Sequence, residues 1–310
     1  MAAISGGLTS AKTEAAAQGL ARSSLWAQAI RRLLRNKLAM AGGIVVLLMF
    51  AICFIGPFFS PYTDNKIHLA LMNKAPSAKH WLGTDALGRD VLTRVMQAGR
   101  ISLTVGLASM VLSVFLGSLL GAIAGYYRGI ADQIIMRIGD LLLTVPGLPL
   151  LFIFGALLSE WKVPTQNRMY IVMLMLSFVN WPGLARMVRG EVLSLREREY
   201  MLATTVLGLS GRRKLFNHLL PNLMPLLIVI ASLNVGGAIL SESVLSFFGL
   251  GVMPPTPTWG NMIDSANNLI DFQERPWLWI PPGFSIFATV IAINLFGDGL
   301  RDVLDPKQRR

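Results

Sequence analysis

The sequence predicts an all-α polytopic membrane protein with about six transmembrane helices, and three observations predict it. Of the 310 residues, 53% are hydrophobic and 15% charged, where a soluble domain carries about a quarter charged residues. Apolar stretches recur along the chain, each long enough to cross roughly 30 Å of hydrocarbon at about 1.5 Å per residue. The basic residues are sided: with both termini inside, the inner segments hold 17 of the 28 Lys and Arg and the outer ones 9, the bias that marks cytoplasmic loops. The net charge of +11 therefore follows a membrane pattern, and no nucleic-acid partner is expected.

Residues 1–25 are rich in Ala, Gly, Ser and Thr and are expected to form a disordered cytoplasmic terminus. Residues 26–60 combine a basic interfacial helix, Trp26 to Lys37, with the first span, Leu38 to Phe59. The lone Cys53 lies in that span, which excludes a disulfide framework or a cysteine zinc site. Residues 61–100 leave the membrane as an extracytoplasmic segment. Leu87, Val91, Val95 and Ala98 then recur every three or four residues, which predicts a short amphipathic helix leading into span two.

The transmembrane domain runs from 101 to 303, with spans near Ile101 to Tyr126, Ile134 to Leu158, Tyr170 to Met187, Leu223 to Ser246 and Trp279 to Phe296. Gly117, Gly121 and Gly125 form two consecutive small-xxx-small spacings in span two, a signal for close helix approach. The cytoplasmic segment 188–222 reads as two short helices around Gly208-Leu209-Ser210-Gly211. There Gly208 stops the first helix, Ser210 caps the second and Pro221 ends it. Gly249 to Pro282 holds too many Pro and Gly residues to span, and its Trp259, Trp277 and Trp279 suit the membrane interface. Residues 304–310 form a basic cytoplasmic tail.

The chain carries no Gly-x4-Gly-Lys-[Ser/Thr] loop, so it is not expected to hold nucleotide in that manner. His68, His80 and His218 are scattered over different loops, which argues against a histidine-rich metal site. No nucleophile and base are singled out by spacing, and the protein is not expected to be an enzyme. Glu242 is an ionisable residue in span five. It either lines or gates a pathway or ends near the outer interface and caps a loop.

Four stretches resemble a known family. They are His80-Trp81-Leu82-Gly83-Thr84-Asp85-Ala86-Leu87-Gly88-Arg89-Asp90-Val91-Leu92, Val188 through Tyr200, Leu245-Ser246-Phe247-Phe248-Gly249-Leu250-Gly251 with Trp259-Gly260, and Gly297-Asp298-Gly299-Leu300-Arg301-Asp302. In that order they resemble the second permease subunit of ABC importers in the dipeptide, oligopeptide and nickel group, over nearly all of residues 26–307. The resemblance implies a type I ABC importer transmembrane domain that pairs with a homologous permease subunit in the lipid bilayer. It also implies two ATPase subunits and an extracytoplasmic substrate-binding protein, with ATP and Mg held by the ATPases and no cofactor on this chain. The implied cargo is a di- or oligopeptide; a nickel chelate or other small solute fits the same architecture, and an ATP-independent channel or secondary carrier is the rival class.

Such permeases carry a coupling motif, Glu-Ala-Ala-x3-Gly-x9-Ile-x-Leu-Pro, whose helix docks on the ATPase. By position, Leu202-Ala203-Thr204 stands at Glu-Ala-Ala, Gly208 at the Gly, His218 at the Ile, and Leu220-Pro221 at the Leu-Pro. With the acidic position occupied by Leu202, the resemblance puts docking on apolar packing of Met201, Leu202 and Val206, or on Arg198 and Glu199.

Overall fold

The computed structural model describes residues 30–63 and 65–304, and its regular elements are helices. The expected disordered terminus 1–25, the start of the interfacial helix at Trp26 and the tail beyond Leu304 lie outside the described residues; residues 30–35 are helical. Five helices are long and apolar enough to cross a membrane, and a bent pair raises the number to six if it counts as one span.

Helix α1 (Lys37–Phe54) starts where the Asn36 side chain accepts from the Ala39 N–H at 3.2 Å, satisfying one of the orphan donors of a first turn. Span one breaks at Ile55 instead of continuing to Phe59, and a short helix, Gly56–Phe59, follows with Pro57 in its first turn. Helix α2 (Val91–Tyr127) is continuous over 37 residues, roughly 55 Å at 1.5 Å per residue. The separate amphipathic helix expected before span two is therefore its first turns, and Leu87 precedes it. Gly99 lies inside this helix, where a Cβ would strike Cys53 Sγ and the Trp259 ring, so close packing of these neighbours requires a glycine.

The span expected over Ile134 to Leu158 is two helices, α3 (Gly129–Thr144) and α4 (Gly147–Glu160), meeting at 89°. The cause is local. Pro146 lacks an N–H and pushes the residue before it out of the helical region, and Val145 is extended at φ −89°, ψ 129°. Helix α5 (Thr165–Arg196) continues about two turns beyond the expected end at Met187. Near its start Arg168, 4% exposed, donates to Ser159 Oγ at 3.1 Å, fastening it to the end of α4.

Helix α6 (Glu199–Val206) is followed by Gly208 at φ +66°, the left-handed stop that glycine adopts without penalty. The helix that resumes at Gly211 does not end at Pro221. It passes through a π-helical turn, Leu215–Leu219, into α7 (Leu220–Phe247). A proline in a helix interior removes one hydrogen bond and crowds the carbonyl four residues back, and widening the preceding turn relieves both. Ser210 occupies the cap position but its side chain makes no capping bond.

Helix α8 (Trp259–Ile263) opens with a reciprocal capping box between Thr258 and Asn261, and α9 (Ile280–Leu304) closes the bundle. Trp259 is not interfacial: it is fully buried and its Nε1–H donates to the Val95 carbonyl at 3.0 Å. Trp277 is half-buried and Trp279 stacks on Phe272 with centroids 5.0 Å apart.

The glycine ridge of α2 meets α5. A Cβ on Gly121 would strike the Ala185 carbonyl, and one on Gly125 would lie 2.9 Å from the Arg189 carbonyl, so the two helices pack backbone to backbone. Buried side chains gather in three clusters. One surrounds Trp259, one joins Val188, Val192 and Met201 to Leu215 and Leu219 near α6, and one lies around Leu176 and Leu245.

Candidate functional site: the α6 surface and the buried Glu242 cluster

The chain reaches α6 through a fastened corner. Arg196 donates to the Tyr126 carbonyl at 2.9 Å and lies over the Tyr126 ring, tying the end of α5 to the end of α2. Arg198 then holds the N-cap position in extended conformation without a side-chain capping bond, and Glu199 opens the helix. Met201 and Thr204 are 3% and 6% exposed and face the bundle. Met201 packs with Leu195, Leu215 and Leu219, and the Thr204 hydroxyl turns back onto the Met201 carbonyl at 2.7 Å. After the stop, Lys214 Nζ donates to Thr205 Oγ1 at 3.0 Å and closes the corner from the other side.

The opposite face is open. Leu202 is 57% exposed, Val206 89% and Leu207 76%, with Ala203 exposed between them. Leu202 pairs with Val206, and Ala203 with Leu207, at i and i+4, so the four form one strip. Beside it Arg212 and Arg213 are exposed and, with Ser210, Phe216 and Asn217, border a shallow pocket of about 320 Å³. The corner thus presents an apolar strip next to cations and is held from within.

Of the residues singled out by sequence, Arg198, Glu199, Leu202, Ala203 and Gly208 share this exposed corner. Met201 and Thr204 hold it from inside. Leu220 is half-buried and Pro221 exposed at the start of α7, beyond the π turn. Sequence reasoning missed Leu207 and Phe216 on the surface and Leu215 and Leu219 as anchors. The signal was present: Leu215, Leu219, Leu223 and Leu227 recur every four residues, and all four are buried.

At the far end of α7, Glu242 is fully buried and its carboxyl group faces no open surface of this chain. It accepts from Ser102 Oγ at 2.9 Å and from Ser246 Oγ at 2.7 Å, with Ser243 at 3.5 Å and Thr258 also bonded to it. Each principal donor is itself committed. Ser102 Oγ accepts from the Trp259 N–H at 3.2 Å, and Ser246 Oγ accepts from the Val252 N–H at 3.1 Å. Glu242 thus stitches α7 to α2 and to the loop that delivers α8. Gly260 completes the fit, because a Cβ there would strike the Ser243 carbonyl.

At the same end the stretch from His80 to Leu92 builds the start of α2. Asp90 accepts from the Thr93 N–H at 2.9 Å and from its hydroxyl at 2.7 Å, while its other oxygen meets His80 Nδ1 at 2.9 Å. Asp85 accepts from the backbone N–H groups of Leu87 and Arg89 and pairs with the Arg89 and Arg94 guanidinium groups. These residues shape a loop. Among the described residues no cluster of His, Cys, Asp and Glu has the makings of a metal site.

Residues 117–310 match the family described as binding-protein-dependent transport system inner membrane component. Residues 24–76 match the N-terminal TM domain of oligopeptide transport permease C. The chain is 42% identical over 282 residues to a protein of Brucella suis biovar 1 named as a peptide permease, covering 91% of each. It is 40% identical to the glutathione transport system permease protein of Pectobacterium atrosepticum, covering 91% of each. It is 39% identical to the oligopeptide transport system permease protein of Bacillus subtilis, covering 93% of this chain and 91% of that one. With its broken third span, its exposed α6 corner and these matches, the chain belongs to the inner-membrane permeases of binding-protein-dependent ABC importers, in the oligopeptide and dipeptide group.

Proposed function

We propose that this permease forms, with a homologous second permease, the pathway by which di- or oligopeptides enter the cell. In this reading two separate ATPase subunits bind ATP and Mg and drive transport through α6, and an extracytoplasmic binding protein delivers the cargo. The α6 corner faces the cytoplasm together with both termini, in keeping with the inner excess of Lys and Arg. The observation that carries the reading is the α6 strip. Leu202, Ala203, Val206 and Leu207 are exposed while Met201 and Thr204 are sealed inside, so a partner seated on the strip moves the helix and the helix moves the bundle. Arg198 and Glu199 edge the contact, Gly208 sets the corner, and Leu220 and Pro221 join it to α7. ATP binding draws the ATPases together, and the two permeases switch the side to which their shared cavity opens.

The relatives' names favour peptide cargo, spanning glutathione and oligopeptides. The test is uptake of labelled di- to pentapeptides, with nickel chelate as competitor, in cells lacking and regaining this chain. In the same cells Val206→Asp is expected to lose co-purifying ATPase and at least tenfold of uptake, with unchanged amounts of permease in the membrane. Uptake that survives catalytically dead ATPases would refute the coupling, and entry of nickel without peptide would refute the cargo.

A further inference from the structure

The surface where α3 meets α5 carries charges in an unusual place. Arg189 Nε donates to Asp132 Oδ1 at 2.5 Å, beside Gly125 near the inner end of α2. Asp140 lies eight residues further along α3, roughly 12 Å along its axis at 1.5 Å per residue, and Arg186, three residues before Arg189 on α5, reaches it at 2.5 Å. Their side chains are 52% and 57% exposed, and Arg137 on α3 is exposed as well. On α5 the exposed positions Asn180, Gly183, Arg186 and Gly190 follow helical spacing, and a Cβ on either glycine would meet nothing within 4 Å.

Charged side chains within the hydrocarbon are costly, and they turn toward a water-filled cavity or a polar partner. Elsewhere along the same helices the exposed side chains include apolar ones, Val111 and Phe115 on α2 and Leu174 and Phe178 on α5. The Pro146 bend carries α4 away at 89°, which leaves the polar stripe uncovered by its own chain.

We infer that the stripe Asn180, Gly183, Arg186 and Gly190, with Asp140 opposite, lines the aqueous pathway and that the Asp140–Arg186 pair is a peptide subsite for the two terminal charges of a zwitterionic peptide. The chemistry is complementary: the carboxylate of a passing peptide exchanges onto Arg186 and its ammonium onto Asp140, so neither protein charge is left unpaired while the other is engaged. The glycines leave room for side chains of any kind, so the site reads termini rather than sequence. This rests on the transport reading above and names the cargo-facing residues within it.

The test uses the complete transporter in membrane vesicles of both orientations. A Cys53→Ala background carries single Asn180→Cys, Gly183→Cys or Gly190→Cys substitutions, with Phe115→Cys as the apolar-face comparator. A charged, membrane-impermeant thiol reagent is expected to label the three stripe positions at least tenfold faster than Phe115→Cys in one nucleotide state. The tripeptide Ala-Ala-Ala should slow labelling of Gly183→Cys. In the Gly183→Cys background, Arg186→Gln should remove the advantage of a free over an amidated carboxyl terminus in that protection, and Asp140→Asn the advantage of a free over an acetylated amino terminus. Labelling no faster than at Phe115→Cys in every nucleotide state would overturn the pathway assignment, since the stripe would then be covered by the partner permease or by lipid. Protection indifferent to both termini would overturn the subsite. Wild-type vesicles without ATP-dependent tripeptide uptake would instead refute the transport reading, and the labelling rates would still decide this one.

Discussion

Replacing Glu242 with Gln, a nearly isosteric change, should destabilise the protein by about 1–3 kcal/mol, the cost of one buried hydrogen-bonding group without a partner. The reasoning is a count of protons. Ser102 and Ser246 each accept a backbone N–H, from Trp259 and Val252, and each gives its hydroxyl proton to a different oxygen of Glu242. The two oxygens of the carboxyl group receive one each. A glutamine offers one oxygen and an NH2 group, so whichever way the amide turns, one serine meets a donor and its own proton loses its acceptor in a fully buried site. Glu242→Ala should cost more, about 3–5 kcal/mol, because both protons lose their acceptor and a cavity is left. The assay is unfolding of the purified complex in mixed micelles, followed by helical circular dichroism, with limited proteolysis between Gly249 and Thr258 as a local report. Stabilities of both variants within about 0.5 kcal/mol of the parent, the range of ordinary surface substitutions, would refute the claim that Glu242 holds this end of the bundle.

Two further predictions concern how the helices are joined. Gly121→Ala should separate α2 from α5 at a cost of about 1–3 kcal/mol, since the new Cβ meets the Ala185 backbone, whereas Gly237→Ala, where nothing lies within 4 Å, should be neutral or stabilising; micelle unfolding of the pair checks the contrast. Asp90→Ala should lose about 0.5–2 kcal/mol as an N-cap and the His80 contact besides, while Asp90→Asn, which still caps, should lose less in the same measurement.

Much of this fold was legible because hydrophobic span length and glycine spacing act locally. The ridge Gly117, Gly121 and Gly125 announces close packing whatever the partner, and α5 fills that role. Gly208 announces a stop, and the chain stops there at positive φ. Trp259 was misplaced for the opposite reason. Its amphipathic ring suits an interface, and only the distant Gly99, Val95 and Ser102, brought together by tertiary packing, make a buried slot for it. Pro146 and Pro221 show the same limit in pairs. Each breaks a hydrogen bond, yet one gives an 89° bend and the other a π turn within a continuous helix. The difference lies in what surrounds them: Leu215 and Leu219 within the π turn and Leu223 after it are buried, whereas Val145, Gly147 and Leu148 are exposed around the bend. For α6, the Gly208 stop placed the end of the helix, but which face is open followed only from where α5 and α7 lie.

The distribution of close packing bears on how a displacement of α6 would travel. The helical stretch from Gly211 to Phe247 is 37 residues long, roughly 55 Å, and joins the α6 corner at one end to the Glu242 cluster at the other. Its two weak points, the π turn and Pro225, both lie in the part nearest α6. They do not work as free hinges, because Leu215, Leu219, Leu223 and Leu227 are buried in the cluster that holds Val188 and Val192 of α5. Helix α5 is in turn locked to α2 through the glycine ridge, so α2, α5 and α7 respond as one body. Of the bent pair, α4 is packed into that body through Leu151 and Leu158, and α3 is joined differently. In α3 only Gly139 is buried, its nearest approach to α5 is an ordinary contact at Pro182, and its firm links are the ion pairs Asp132–Arg189 and Asp140–Arg186. Ion pairs with partly exposed side chains exchange partners far more readily than interlocked backbones separate. In the proposed coupling, force delivered at α6 would therefore move the three-helix body, with α4 fastened to it through Arg168, Leu151 and Leu158, against α3, and the seam along which they part is the charged one.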